Sequence, residues 1–414
     1  MDQRTMDNRT AGRTALAVLG VCFVLTVLSR GLNESFTVFL LPISQGFGWD
    51  RAEVISIYSL SALTSGLAAP LIGRMFDRAG PRAVYGLGLL LIGAAFTVAG
   101  YAQKLWQLQL SMGVVVGFGS ACLGNVTGSL LLARWFGPRL PTAMAVIYSA
   151  MGAGALIALP VSQLLIDAYG WRAAYQIFGV VGLALFVPFF LLPIFPLLWR
   201  RVAEGSPYLP KHNIAQIGDH SWTLGSAIRH HAFWALFSTF FFTAIGIFAI
   251  TAQVVAYLID AGFPPLQAAT AWGFSGVLLL FGMLTISWLD GVIGRRGSIF
   301  LSYSLTITGI VMLYYLQYFA NWWLLAGFVA CFGGTQGSRG PLITATAMRI
   351  FRGERVGTIF GTISIGSGLG AAIGSWSGGL LHDWTGGYTA VIGFALVSIV
   401  IGMIPFLTVP MLRR

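Results

Sequence analysis

Charge is what this sequence has least of. Only 9% of its 414 residues are Asp, Glu, Lys or Arg, against roughly 25% in soluble domains, and that shortfall excludes an ordinary soluble or disordered chain. Lysine is nearly missing: of 24 basic residues only Lys104 and Lys211 are lysine, a bias that suggests a GC-rich bacterial genome. Cysteine is scarce too. Cys22, Cys122 and Cys331 all lie in apolar runs, which excludes a disulfide framework and any zinc-finger spacing. The five histidines, His212, His220, His230, His231 and His382, fall outside those runs, so no histidine relay crosses the membrane midplane. Without a buried His or a nucleophile–base pair the chain is not expected to be an enzyme, and it is expected to need no metal or cofactor.

What is present is apolar sequence: 57% of the chain is hydrophobic, with 53 Gly and 16 Pro, both commoner in membrane helices than in soluble ones. Runs of spanning length, about 20 residues, fall at 15–42, 54–73, 83–102, 106–133, 142–166 and 172–199. A polar segment, 200–231, follows, and six more runs fall at 232–259, 266–289, 298–319, 322–350, 357–381 and 388–411. The fold expected is an all-α polytopic membrane protein of twelve transmembrane helices. Its parts are an N-terminal six-helix bundle (1–199), a cytoplasmic linker (200–231) and a C-terminal six-helix bundle (232–414).

The net charge of +11 reads as topology, not as a nucleic-acid footprint. With the N-terminus inside, 19 of the 24 Lys and Arg fall on the inner side, only Arg51, Lys104 and Arg172 on the outer side, and Arg30 and Arg339 within spans. Both termini are therefore expected in the cytoplasm, with the protein in a bacterial inner membrane. Residues 15–29 resemble a signal-peptide core, but the run continues past Arg30 without a small-residue cleavage pattern and reads as an uncleaved first span.

The halves repeat. Asp77 and Asp290 each stand where the second span of a half meets a basic loop, and Arg134 and Arg349 each end a fourth span. Two parallel repeats around a central pathway, with a site near the midplane, are a transporter signature.

Sorting the acids leaves only Glu34 deep in a span, so the intramembrane charges are Arg30, Glu34 and Arg339. Each costs at least ~2.5 kcal/mol in lipid, and such residues usually face a substrate path. Arg30 and Glu34 are four residues apart on one helix face. They form either a structural pair or a binding site, and Arg before Glu is the weaker order for helix stability alone. Arg339 lies in Gly333–Pro341, where clustered glycines and Pro341 weaken the helix. It is either a helix–helix strut or a bidentate carboxylate ligand, and as a ligand it should face span 1 across a central cavity. Glu34 would couple a proton: protonated, it releases an arginine to bind a substrate carboxylate. Asn125, Tyr148 and Gln253 could complete the pocket or act as interhelical glue.

The loop Gly73-Arg74-Met75-Phe76-Asp77-Arg78-Ala79-Gly80-Pro81-Arg82 matches the signature G-x-x-x-D-R-x-G-x-R. By it, and by its place between spans 2 and 3, the chain resembles the major facilitator superfamily. A degenerate copy runs from Asp290 to Arg296. Finer matches point to the monocarboxylate transporter-like branch: Gly31 to Phe39 in span 1, Arg134-Trp135-Phe136, Gly170-Trp171-Arg172 and Gly357-Thr358-Ile359-Phe360-Gly361. The resemblance implies two six-helix bundles related by a pseudo-two-fold axis. It implies alternating-access transport of a small organic anion, a monocarboxylate by branch, with proton symport and a functional monomer. It also implies gating by Gly73, Asp77, Arg78, Arg134 and Asp290, Asp77 latching near Gly357 and Arg134 when the cytoplasmic side is closed. Three departures stand out: Glu34 replaces the lysine of animal members, span 8 lacks their Asp and Arg, and span 11 lacks an exchanger's lysine. Efflux or exchange of another metabolite or drug is the alternative, and a non-transporting sensor is a further one.

Overall fold

Lipid offers no partners to backbone N–H and C=O groups, so apolar runs of this length must close their own hydrogen bonds as helices. The computed structural model describes residues 3–136, 140–191, 222–351 and 356–412, and among these no strand occurs. Gln3–Phe47 contains span 1. Arg51–Ala99 carries spans 2 and 3, Leu140–Leu191 spans 5 and 6, and Pro265–Leu316 spans 8 and 9. Each of these three long helices is broken by one glycine at positive φ: Gly80 (79°), Gly170 (80°) and Gly294 (73°). Spans 11 and 12 are Val356–Thr385 and Thr389–Thr408. Nine of the twelve expected spans are thus found as continuous or once-kinked helices.

The signature loop acquires a physical reason here. The chain must reverse between spans 2 and 3 in one residue, and only glycine takes φ near +79° without a Cβ clash. Gly294 does the same in the degenerate copy, so its extra residue leaves the turn intact. The pairing extends along the chain. Gly48 and Gly262 are 214 residues apart, as are Gly80 and Gly294, and Gly170 and Gly386 are 216 apart.

Spans 4, 7 and 10 are broken. In span 4, Leu105–Leu108 passes through a π segment, Gln109–Val115, into Val116–Leu123, then breaks at extended Gly124 before Asn125–Phe136. Span 10 repeats the plan: Trp322–Phe328, a π segment Val329–Gly333, turns at 336–338, then Arg339–Ile350. Span 7 stops at Thr251 and restarts at Val254, with Gln253 at the joint. Of the expected linker, residues 200–221 lie outside the described residues. The remainder forms a short helix, Leu224–Ile228, whose first turn is capped by Thr223 Oγ1 accepting Ser226 N–H at 3.2 Å.

Two apolar cores form. One stacks Phe39 on Tyr175 (ring centroids 4.1 Å apart) with Phe96 edge-on to Tyr175; the other stacks Trp272, Phe328 and Phe332. Ala252 and Ala256 of span 7 belong to the first core, and Val38, Ala155 and Leu159 of spans 1 and 5 to the second. These exchanges mark where the bundles meet. Spans 5 and 8 cross backbone to backbone at Gly152 and Gly276, where a Cβ on Gly152 would overlap the Gly276 carbonyl. Small residues at such crossings let membrane helices gain close packing that lipid cannot supply.

The outer end, the end the arginine distribution assigns to the outside, is closed. Ser59 and Ser375 of spans 2 and 11 share a 2.7 Å hydrogen bond, and Gly379 lies on Ala52. Farther along these spans, a Cβ on Gly73 or Gly361 would meet nothing within 4 Å among the described residues.

Candidate functional site

Span 1 carries a polar stripe, Thr26, Ser29, Arg30 and Asn33, at the i, i+3, i+4, i+7 spacing that puts four side chains on one helix face. Gly31, on another face, seats span 1 directly on Gly154 and Ala158 of span 5, which fixes its rotation. The stripe then lines a cavity of about 190 Å³, closed by Ser65 and Ala69 of span 2, Ser120, Ala121 and Gly124 of span 4, and Met151 of span 5. The break at Gly124 opens span 4 beside this space. Ser29 Oγ donates to the carbonyl of Ser120 (3.4 Å), and the buried Ser120 Oγ has no partner among the described residues.

Arg30 supplies the cavity's charge. Its NH2 donates to Glu34 Oε1 at 2.9 Å; the Arg30 side chain is 37% exposed and that of Glu34 11%. Glu34 thus holds one corner of the guanidinium from the buried side and leaves the rest open to the cavity. The hydroxyl of Tyr58, on span 2, is in electrostatic reach of both groups. Its ring stacks on Phe36 (5.4 Å) and approaches Phe248 of span 7 (6.3 Å), so it stands between the charged pair and the second bundle.

Arg339 does not face span 1. Its NH1 donates to Thr306 Oγ1 (2.8 Å), the Ser302 carbonyl (3.2 Å) and Ser302 Oγ (3.3 Å), and its Cζ lies 4.4 Å from the Tyr303 ring centroid. The side chain is buried against span 9, and the residue is absent from the cavity wall. The break that sequence places here explains the direction. Ser338 Oγ bonds Ser302 Oγ (2.9 Å) and Thr335 Oγ1 bonds Thr306 Oγ1 (2.8 Å), stitching the loosened turn to span 9 and carrying Arg339 with it. Arg339 Nε and NH2 are buried without partners in this state.

The other expected residues scatter. Tyr148 is half-buried on span 5. Gln253 is buried at the break in span 7, its Nε2 donating to the Ala249 carbonyl (3.2 Å) and its Oε1 unpartnered. Neither lines the cavity. The side chains of Asn125, Asp77 and Arg134 lie outside the described residues, and so does the expected Asp77 latch. Gly73 and Arg78 lie in helix on the span 2 side of the Gly80 kink, Arg78 exposed. Asp290 accepts from Arg295 NH2 (3.2 Å) and Ser298 Oγ (3.3 Å), while Arg295 NH1 reaches Thr346 Oγ1 of span 10 (3.0 Å). The degenerate signature loop is thereby tied to its neighbouring span.

Sequence reasoning passed over Thr26, Ser29, Asn33, Ser65, Ser120 and Tyr58. The stripe on span 1 was detectable from its spacing. The partners on spans 2 and 4 were not, because single serines in apolar runs carry no directional signal.

The Major Facilitator Superfamily profile matches residues 21–331 and 293–413. The Bacillus subtilis (strain 168) protein described as uncharacterized MFS-type transporter YcxA is 26% identical over 408 residues, covering 96% of this chain and 97% of that one. Rat monocarboxylate transporter 13 is 27% identical over 357 residues, covering 85% of this chain and 79% of its own. Mouse monocarboxylate transporter 12 is 27% identical over 294 residues, and that match spans only 60% of its length. Among solved structures, a bacterial homolog of the human lysosomal transporter Spinster, in an inward-facing and occupied conformation, superposes with TM-score 0.68 at 14% identity, covering 96% of this chain and 98% of that one. A POT family transporter in complex with a thioalcohol-conjugated peptide gives TM-score 0.71 at 16% identity over 96% of each chain. At these identities the likeness is one of fold.

Proposed function

Because the chain belongs to the Major Facilitator Superfamily and is a membrane transporter rather than an enzyme, we propose that it carries a small organic anion, a monocarboxylate, in symport with a proton. The observation that carries this reading is the geometry of Arg30. Its guanidinium is held at one corner by Glu34 and opens into a midspan cavity. A planar guanidinium presents a fork of N–H donors matched to a carboxylate. The monocarboxylate transporters among its relatives agree in substrate class.

Glu34 is the proton site in this reading. Ionised, it competes with the substrate for Arg30; protonated, it releases the guanidinium. One proton taken up with one carboxylate keeps the site's charge constant through the cycle, which limits the cost of moving charge through lipid. Arg339, stored on span 9 in this outer-closed state, is the second cation and engages as the bundles rock. The described wall of the site belongs to the N-terminal six-helix bundle, 1–199, and the C-terminal six-helix bundle, 232–414, packs beside it. Both termini face the cytoplasm of a bacterial cell, the protein lies in its inner membrane, and the monomer is the working unit.

The test is counterflow in proteoliposomes against a panel of small carboxylates, with and without a pH gradient. The expected result is carboxylate uptake stimulated by an inward proton gradient and lost in Arg30→Ala. Uptake of uncharged or cationic compounds alone, or no transport at all, would overturn the reading.

A further inference from the structure

Resting on the carboxylate reading of Arg30, we propose that the substrate is a short polyhydroxylated monocarboxylate, a three- or four-carbon acid bearing two or more hydroxyls. Three features of the cavity carry this. The first is charge: among the described residues Arg30 is the single cation in the wall and is already shared with Glu34, so one carboxylate is matched and a second would meet only neutral groups. The second is size. About 190 Å³ is well under the ~300–1,000 Å³ of sites for drug-sized ligands.

The third is lining. Beyond Arg30 the wall offers Thr26, Ser29, Asn33, Ser65 and Ser120, all able to donate or accept, while its apolar groups are Ala69, Ala121, Gly124 and Met151. Small-molecule sites are ordinarily dominated by hydrophobic and aromatic side chains with few polar groups. Among its described residues this wall inverts that balance, holding no aromatic ring and one long apolar side chain. An alkyl tail of the right size would therefore leave several hydrogen-bonding groups facing methylenes, which costs more than the tail gains. Asn33 stands three residues after Arg30 on the same helix face, so an acid held at Arg30 would direct its hydroxylated carbons along the stripe toward Asn33 or Ser29.

The experiment compares three four-carbon probes on purified, detergent-solubilised full-length protein by ligand-induced thermal shift, with the same probes as internal counter-substrates in proteoliposome counterflow. Threonate carries the acid and three hydroxyls, butyrate only the acid, and threitol only hydroxyls. Threonate is expected to bind at least about tenfold more tightly than butyrate, since two satisfied hydrogen bonds account for that ratio, and threitol is expected not to bind. Asn33→Ala and Ser65→Ala should each bring the threonate-to-butyrate ratio toward one, while Arg30→Ala loses both acids. Equal binding of butyrate and threonate would overturn the hydroxylated substrate and leave the carboxylate reading standing. Binding of threitol as tight as threonate would overturn the carboxylate reading, and no binding by any probe would overturn both. The wild-type comparison decides the matter even if a variant fails to fold.

Discussion

Asp383, near the outer end of span 11, accepts the backbone N–H of Ala52 at 2.6 Å and that of Arg51 at 3.3 Å. One bundle thus supplies the N-terminal cap of a helix in the other. The first N–H groups of a helix lack intrahelical partners and carry the positive end of its dipole, so a carboxylate there is doubly favoured. Arg51 turns its side chain the other way, to Asp260 (2.6 Å) and the hydroxyl of Tyr388, which itself donates to Asp260 (3.0 Å). Together these contacts hold the outer end shut.

Removing the cap should open it. Losing a helix N-cap costs about 0.5–2 kcal/mol, which corresponds to roughly a 2- to 30-fold shift from outer-closed toward outer-open states. Asp383→Ala should show the full effect and Asp383→Asn a small one, since asparagine caps as well as aspartate. Spin labels at the outer ends of spans 2 and 11 would read the shift as a longer inter-label distance. Equal effects of the two substitutions would mean that charge, not capping, closes this end.

The Arg51–Asp260 pair should contribute less and respond to salt. The Asp260 side chain is 40% exposed, and pairs open to solvent are worth about 0–1 kcal/mol. Asp260→Asn is expected to shift the same distance distribution only slightly, and the shift should vanish at high ionic strength, where screening has already removed the pair. The Asp383→Ala effect, being a backbone cap, should persist there.

Glu34 and Arg30 make separable predictions. Glu34→Gln leaves a neutral side chain of the same shape, so Arg30 is released permanently. Carboxylate counterflow should survive, while stimulation by an inward proton gradient should disappear. Arg30→Lys keeps the charge but loses the planar fork, and affinity is expected to fall by about tenfold or more, the 1.5–3 kcal/mol scale of a charged hydrogen bond. Proton-stimulated uptake that survives in Glu34→Gln would remove Glu34 from the coupling scheme.

His230 gives a pH marker at the start of span 7. Its Nδ1 accepts the N–H of Ala232 at 3.2 Å, an N-cap that requires the neutral ring. Burial, and secondarily the neighbouring His231, push its pKa below the ordinary 6.5. A histidine with a depressed folded-state pKa is favoured neutral, so the cap is intact at neutral pH and is lost as pH falls through the folded value. Histidine NMR on the full chain, assigned with His230→Gln, should show the His230 ring titrating below an unperturbed histidine.

Much of this was legible in sequence because membrane burial is a blunt constraint. The span lengths follow from bilayer thickness, and Gly80 from a turn only glycine makes. The break near Arg339 follows from clustered glycine and proline, whereas the break at Gly124, in a run without proline, was not read from sequence. Pairing of Arg30 with Glu34 was legible because four residues on a helix is a fixed distance. The direction of Arg339 was not, because it depends on which neighbour offers acceptors, and Ser302 and Thr306 sit on a different span whose rotation no local pattern sets. The Asp383 cap was hidden for the same reason: its partners are backbone groups more than 300 residues away.

Arg339 yields the sharpest separation of structure from function. Its NH1 makes three hydrogen bonds, while Nε and NH2, equally buried, make none. A guanidinium kept purely as a strut would be a poor choice, because replacing a buried charge with an apolar side chain of similar volume is often neutral or stabilising. The hydroxyls around it already satisfy one another: Thr306 Oγ1 donates to the Ser302 carbonyl (2.9 Å), and the Ser302–Ser338 and Thr306–Thr335 pairs need no arginine. Arg339→Met should therefore leave the thermal midpoint of the purified protein at or above that of the wild type. If Arg339 swings to the substrate as the bundles rock, the same protein should lose carboxylate counterflow. A variant that is both stable and fully active would reduce Arg339 to packing, whereas a stable, inactive one places its two unpartnered nitrogens in the transport cycle.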